Sequence, residues 1–212
     1  MKILVVAATT LEMDFMSSIQ SSEKNQVFKK VLGVGQVPTT YHLLQHIENI
    51  MPELIVQTGI AGSFLNDIAL GEVFVIEREF MADLGVQENG SFQSVFDLKL
   101  MDKNQTPFFD GQLKNPHEIL IHKTNLKKAS SITVNEISTS LERINEFKKQ
   151  FNPTIESMEG AAFHYCCLMK NIPFVQIRGV SNYVGERDKS RWHIETALQA
   201  ATKSTQDFIS NI

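Results

Sequence analysis

Apolar runs of strand length punctuate the chain. Residues 3–8, 27–34, 54–56, 73–76, 119–122 and 174–180 each read as a strand. Several are continuously apolar rather than alternating, as expected for strands covered on both faces. Between them, apolar residues recur at helical spacing. Residues 11–19 form one such stretch, and residues 36–51 carry Leu43, Leu44, Ile47, Ile50 and Met51. Residues 138–151 open with Ser/Thr and continue as a stripe of Leu141, Ile144, Phe147 and Phe151; residues 158–169 and 194–209 complete the set. Strands alternating with helices predict a single α/β domain over residues 1–212, built on a mainly parallel sheet.

Residues 88–116 break the rhythm. Gly90, Pro107, Gly111 and Pro116 stand there among polar residues, which predicts a long excursion with a short hairpin. The apolar start, Ile3 to Ala8, is too short for a secretion signal and reads as a buried first strand. No run reaches the roughly 18 apolar residues of a membrane span. Composition narrows the function classes. With 20 Lys+Arg against 24 Asp+Glu the net charge is −4, which argues against nucleic-acid binding through a basic surface and against membrane-surface attachment. The 2 cysteines, Cys166 and Cys167, are neighbours, so a disulfide framework is excluded and a reducing, cytoplasmic setting is expected.

Ligands of open α/β sheets bind beyond the carboxyl ends of the strands. Five segments fall at such ends: Thr9-Thr10-Leu11-Glu12, Gly33-Val34-Gly35, Thr58-Gly59-Ile60-Ala61-Gly62, Met158-Glu159-Gly160 and Arg178-Gly179-Val180-Ser181-Asn182. Gly33-Val34-Gly35 is not a dinucleotide fingerprint, because Pro38 stands where the third glycine belongs. It reads either as a plain turn or as a place where a small ligand meets the backbone. Glu12 and Glu159 each suit a helix N-terminus electrostatically. Two carboxylates beside one cleft could also divide labour, one taking a proton from water and one binding sugar hydroxyls. His42 and His46 are spaced like metal ligands but lack a third partner, so no metal is expected. Cys166 and Cys167 read as small buried apolar residues of a helix.

Taken in order, these segments resemble the purine nucleoside phosphorylase/nucleosidase superfamily. The likeness is to its nucleosidase branch, which holds the 5'-methylthioadenosine/S-adenosylhomocysteine nucleosidases and the futalosine hydrolases of the alternative menaquinone pathway. It covers nearly the whole chain and is weakest from about residue 88 to 130. Residues 173–182, Pro-Phe-Val-Gln-Ile-Arg-Gly-Val-Ser-Asn, are its most specific part, and the extension Tyr183-Val184-Gly185-Glu186-Arg187-Asp188 resembles the futalosine hydrolases. The resemblance implies a three-layer α/β/α sandwich with a central mixed, largely parallel sheet. It implies that Glu12 deprotonates water, that Arg178 helps hold that water, and that Glu159 binds ribose hydroxyls. Met158 would line the sugar, with Gly62, Ser181 and the backbone around Val134 flanking ribose and base. Ile60 stands where relatives often carry Ser, which leaves one contact to the water to be supplied otherwise. A small-molecule nucleoside is the implied partner, without cofactor or metal. A homo-oligomer, dimer or tetramer, is also implied, with Phe92, Val95, Phe96, Phe108 and Phe109 as the apolar residues offered for its interface.

Asn182 departs from the adenine-cleaving members, which carry Asp there. A protonated Asp can donate to N7 while its other oxygen accepts from a 6-amino group. A 6-oxopurine offers an acceptor instead, which an Asn amide can meet without charge. This favours hypoxanthine as the leaving base, and futalosine carries hypoxanthine. The Gly33-Val34-Gly35 and Gly59–Gly62 loops carry no Arg or Lys to bind phosphate, and Glu12 would repel it, so hydrolysis is expected over phosphorolysis. Arg187, Lys189 and Arg191 are the cations nearest in sequence for futalosine's benzoate arm. The rival readings are a methylthioadenosine-type nucleosidase and a non-catalytic nucleoside-binding protein on the same fold.

Overall fold

β1 (Lys2–Ala7) sends alternate side chains to opposite sides, and both sides are buried. In the computed structural model, which describes residues 1–88 and 90–212, Ile3, Val5 and Ala7 pack with Met16, Phe208 and Ile209. Leu4 and Val6 pack with Leu43, Ile47, Phe163 and Cys167 on the other side. Helices α1 (Thr10–Phe15) and α6 (Ile194–Ser210) therefore cover one face, and α2 (Gln36–Ile50) and α5 (Gly160–Lys170) cover the other. That is the expected three-layer sandwich. Among the described residues no helix is long and apolar enough to cross a membrane.

The sheet between these layers is mixed. β1 lies between β2 (Gln26–Val31) and β3 (Leu54–Ser63), parallel to both. β3 continues in parallel to β10 (Phe174–Tyr183), and β10 runs antiparallel to β4 (Val73–Met81). The hairpin β5 (Gly85–Glu88) and β6 (Ser91–Ser94) follows β4, and the two-residue β7 (Leu113–Lys114) returns to pair with it. After the short helix α3 (Glu118–Lys123) comes β8 (Lys127–Thr133), parallel to β4. Past α4 (Leu141–Phe151), the three-residue β9 (Ile155–Ser157) pairs with β8 and, antiparallel, with the far end of β3. The strands β3, β10, β4, β8 and β9 thus curl into a closed ring, with β1 and β2 extending from it.

Two expectations need correction. Residues 119–122 are helix, not strand: Ile121 is 1% exposed and Ile119 is 75% exposed, one buried side of a single turn. Glu118 at its start and His122 and Lys123 at its end suit the helix dipole. The strand lies a few residues on, in the polar run Lys127-Lys128-Ala129-Ser130-Ser131-Ile132-Thr133, where buried Ser131 and Thr133 hid it from a hydrophobic pattern. Of the five aromatic and apolar residues offered for an interface, Phe108 is instead buried beside Leu113 and Ala161, with Phe96 against it at 5.2 Å between ring centroids. Phe109 is exposed.

Candidate active site

The carboxyl ends of β1, β3, β9 and β10 open on one cavity of about 270 Å³. Glu12, Ile60, Gly62, Met158, Glu159, Ser181 and Asn182, all anticipated from sequence, line it. Local chemistry places each of them. Thr9 and Glu12 form a capping box at the start of α1: Thr9 Oγ1 accepts from the Glu12 amide, while Glu12 Oε2 accepts from the Thr9 amide and hydroxyl, both at 2.9 Å. The other oxygen, Oε1, accepts from the Ile60 amide at 3.3 Å. The backbone of Ile60 thus contacts Glu12, while its apolar side chain lines the cavity and offers no hydrogen bond to a water.

Glu159 sits at the N-cap of α5 and its Oε1 accepts from the Gly35 amide at 3.0 Å. Gly35 has φ +88°, and Gly33 φ +93°, so the turn needs glycine for its backbone. The Gly33-Val34-Gly35 segment therefore serves Glu159 with an N–H, while Val34 faces the cavity. Burial raises the Glu159 pKa, opposed by Arg178 and the Gly35 amide and reinforced by the Glu12 charge.

Arg178 lies under the cavity rather than in its wall. It is 1% exposed, donates from Nη1 to the Ile60 carbonyl at 3.3 Å, and brings Nη2 to 3.6 Å from Glu159 Oε2. A Cβ on Gly59 would stand 2.5 Å from Glu12 Oε1 and 2.8 Å from Arg178 Nη1. Glu159 forms an ion pair with this guanidinium, and two buried carboxylates against one Arg leave the site as a whole anionic. Such a field stabilises a ribosyl centre that gains positive charge and repels a phosphate dianion.

At the other end of the cavity, Asn182 Oδ1 accepts from the Ser181 hydroxyl at 2.8 Å, and Nδ2 donates to the Tyr183 carbonyl at 3.0 Å. These partners fix which end of the amide is the donor. Nδ2 keeps its second N–H for a ligand. A carboxylate oxygen in its place would face the Tyr183 carbonyl oxygen and would need a proton to be tolerated.

The backbone around Val134 was expected beside ribose and base, and Val134 is not among the residues that line the cavity. The Val134 side chain is fully buried with Phe64, Ile132, Ile144 and Phe147, and its amide donates to the Ser157 carbonyl at 3.0 Å. Its apolar side chain is drawn into the core, and Ile137 stands at the cavity wall. Glu156, Trp192 and Leu198 also line the cavity and were not anticipated. Glu156 adjoins the Ser-Met-Glu-Gly segment in sequence, and that adjacency was the only signal for it. Among the offered cations, Arg191 is held by Glu186 at 3.0 Å, whereas the exposed Arg187 stacks on Trp192 at 5.8 Å.

Beneath the start of α5 lies a second buried carboxylate. Glu79 is fully buried and accepts from Thr133 Oγ1 and Gln176 Nε2, both at 2.9 Å. Thr133 Oγ1 in turn accepts from the Ala161 amide at 2.7 Å. A Cβ on Gly160 would meet Glu79 Oε1 at 1.8 Å, so the small residue after Glu159 makes room for this network rather than for a ligand.

Comparison with known proteins bears on the family and the fold. The model of the phosphorylase superfamily matches residues 16–212. The futalosine hydrolase of Thermus thermophilus is 28% identical over 84% of this chain and 79% of its own length. A 5'-methylthioadenosine/S-adenosylhomocysteine nucleosidase of Desulfotalea psychrophila is 24% identical over 82% of this chain and 74% of its own. Among solved structures, futalosine hydrolase of Helicobacter pylori shares the fold at a TM-score of 0.85 and 16% identity, covering 100% of this chain and 98% of that one. The chain belongs to the phosphorylase superfamily.

Proposed function

We propose that this protein hydrolyses the N-glycosidic bond of a purine nucleoside, and that its substrate is futalosine, cleaved to hypoxanthine and dehypoxanthine futalosine in menaquinone biosynthesis. The observation that carries this reading is Asn182, its amide oriented by Ser181 and Tyr183 so that an N–H faces a cavity holding Glu12 and Glu159. Similarity to relatives named for N-glycosidic hydrolysis supports the reaction class.

In this mechanism Glu12 accepts a proton from water as its oxygen attacks the anomeric carbon. The bond to the purine breaks and its electron pair moves onto the base. Glu159 binds the ribose hydroxyls, and Arg178 holds Glu159 from below. Asn182 donates a hydrogen bond to the departing purine without transferring a proton, and solvent protonates the released base. The exposed Arg187, stacked on Trp192 at the cavity wall, is the cation best placed for the benzoate arm.

The methylthioadenosine reading is favoured by the Desulfotalea psychrophila relative but opposed by Asn182. A purine-release assay with futalosine, inosine and methylthioadenosine, with and without phosphate, separates them. Hypoxanthine should leave futalosine fastest, at a rate indifferent to phosphate. Faster adenine release from methylthioadenosine, or a pentose phosphate product, would overturn the assignment.

A further inference from the structure

Glu156 is the one carboxylate lining the cavity that the mechanism above does not use. It is 7% exposed, and both its oxygens accept from Ser138, Oε1 from the amide at 3.2 Å and Oε2 from the hydroxyl. Two donors on one carboxylate hold it as an acceptor, and each oxygen keeps a lone pair unspent. Burial raises the Glu156 pKa, opposed by the Ser138 bonds.

Its position follows from the ring closure. In the strand pairing, Asn182 of β10 is opposite Gly62 of β3, and Gly62 is opposite Glu156 of β9. Across the antiparallel β3–β9 pair opposite residues share a face, and Asn182, just past an irregularity in the parallel β10–β3 pair, lines the same cavity as Glu156. Asn182 and Glu156 therefore flank Gly62 from either side, about 9–10 Å apart at Cα, two strand spacings. Gly62 has no side chain to fill the gap, and a Cβ there would stand 3.2 Å from Asn182 Nδ2. The pair presents a donor on one side and an acceptor on the other.

That order matches one purine edge. Hypoxanthine displays N7 and O6 as acceptors and N1–H as a donor. Adenine displays an acceptor at N7, a donor at the 6-amino group and an acceptor at N1. We propose that Glu156 is a specificity residue, accepting a hydrogen bond from N1–H of a 6-oxopurine whose N7/O6 side is held by Asn182. The proposal deepens the hypoxanthine reading and rests on it. Against adenine, the carboxylate would meet the N1 lone pair, and a buried mismatch of that kind is strongly rejected.

Binding of free bases tests this without requiring turnover. The chain has 1 Trp, Trp192, and it lines the cavity, so its fluorescence reports occupancy. Hypoxanthine, 1-methylhypoxanthine and adenine are titrated into the native protein and Glu156→Gln. Hypoxanthine should bind the native protein at least about 10-fold tighter than either other base. In Glu156→Gln, that preference over adenine should collapse by about 10- to 100-fold. A preference undiminished in Glu156→Gln overturns the proposal, as does equal binding of 1-methylhypoxanthine and hypoxanthine to the native protein. If Glu156→Gln fails to fold, the 1-methyl comparison decides alone. Nucleoside cleavage by the native protein separates the two failures. Hypoxanthine release with no sensitivity to N1 methylation removes only the Glu156 role, whereas absence of both purine binding and purine release removes the proposed function with it.

Discussion

Glu12 carries a structural and a chemical task on separate oxygens. Oε2 closes the capping box with Thr9, and Oε1 is held by the Ile60 amide at the end nearest Gly59. A glutamine retains a carbonyl acceptor for the cap but cannot take a proton. Glu12→Gln should therefore lose about 10²- to 10⁴-fold in kcat, and it should fold with a somewhat lower thermal midpoint, because its amide nitrogen would meet the Ile60 N–H. Gly59→Ala probes the same point from the strand side. Its new Cβ would push on Glu12 Oε1 and Arg178 Nη1 together. A displacement of that size should cost about 100-fold in kcat/KM, while overpacking costs about 1–3 kcal/mol of stability. Steady-state kinetics beside a thermal melt checks both variants. Unchanged turnover in either would remove Glu12 from the reaction.

The N-terminus of α5 is seated on polar rather than apolar contacts. Glu79 and Gln176 fill the space beneath Gly160, and Thr133 links Glu79 to the Ala161 amide. This seat holds Glu159 against Gly35 and Arg178. Burial pushes the Glu79 carboxyl up from 4.5 to about 7, despite hydrogen bonds from Gln176 and Thr133 and the attraction of Arg178. Between those values the folded chain keeps a proton that the unfolded chain has released. The Glu79 contribution to stability is thus complete below pH 4.5 and is lost as pH rises through 7. Glu79→Gln stays neutral throughout. Its thermal midpoint relative to the native protein should therefore be higher at pH 8 than at pH 5, which paired melts measure. A difference independent of pH would show that Glu79 titrates like a solvent carboxylate.

A further apolar face remains on the assembled fold. On α2, Val37 is 79% exposed and Tyr41 is 64% exposed, and with Leu44, Met81 and Tyr165 they line a shallow depression. Contiguous exposed apolar surface of this kind marks an interaction site. Gly35, the residue that donates to Glu159, is the N-cap of α2, so this face lies on the helix that follows the active-site turn. The homo-oligomer expected from the family resemblance should use it, and Tyr41→Glu should lower the mass seen by light scattering. An unchanged mass would move the interface elsewhere. Much of this architecture was readable in the chain, because strands buried on both faces and amphipathic helices leave periodic apolar patterns. Glu12, Glu159 and Asn182 were readable too, since each sits where a strand ends or a helix begins. The polar β8 was hidden, because its buried Ser131 and Thr133 are accommodated by the packing around them and leave no apolar stripe. Glu156 was hidden for a different reason. A local pattern places a residue on its own element, but only the ring closure sets β9 against the end of β3. That pairing, between residues about ninety apart in the chain, is what brings Glu156 beside Gly62 and opposite Asn182.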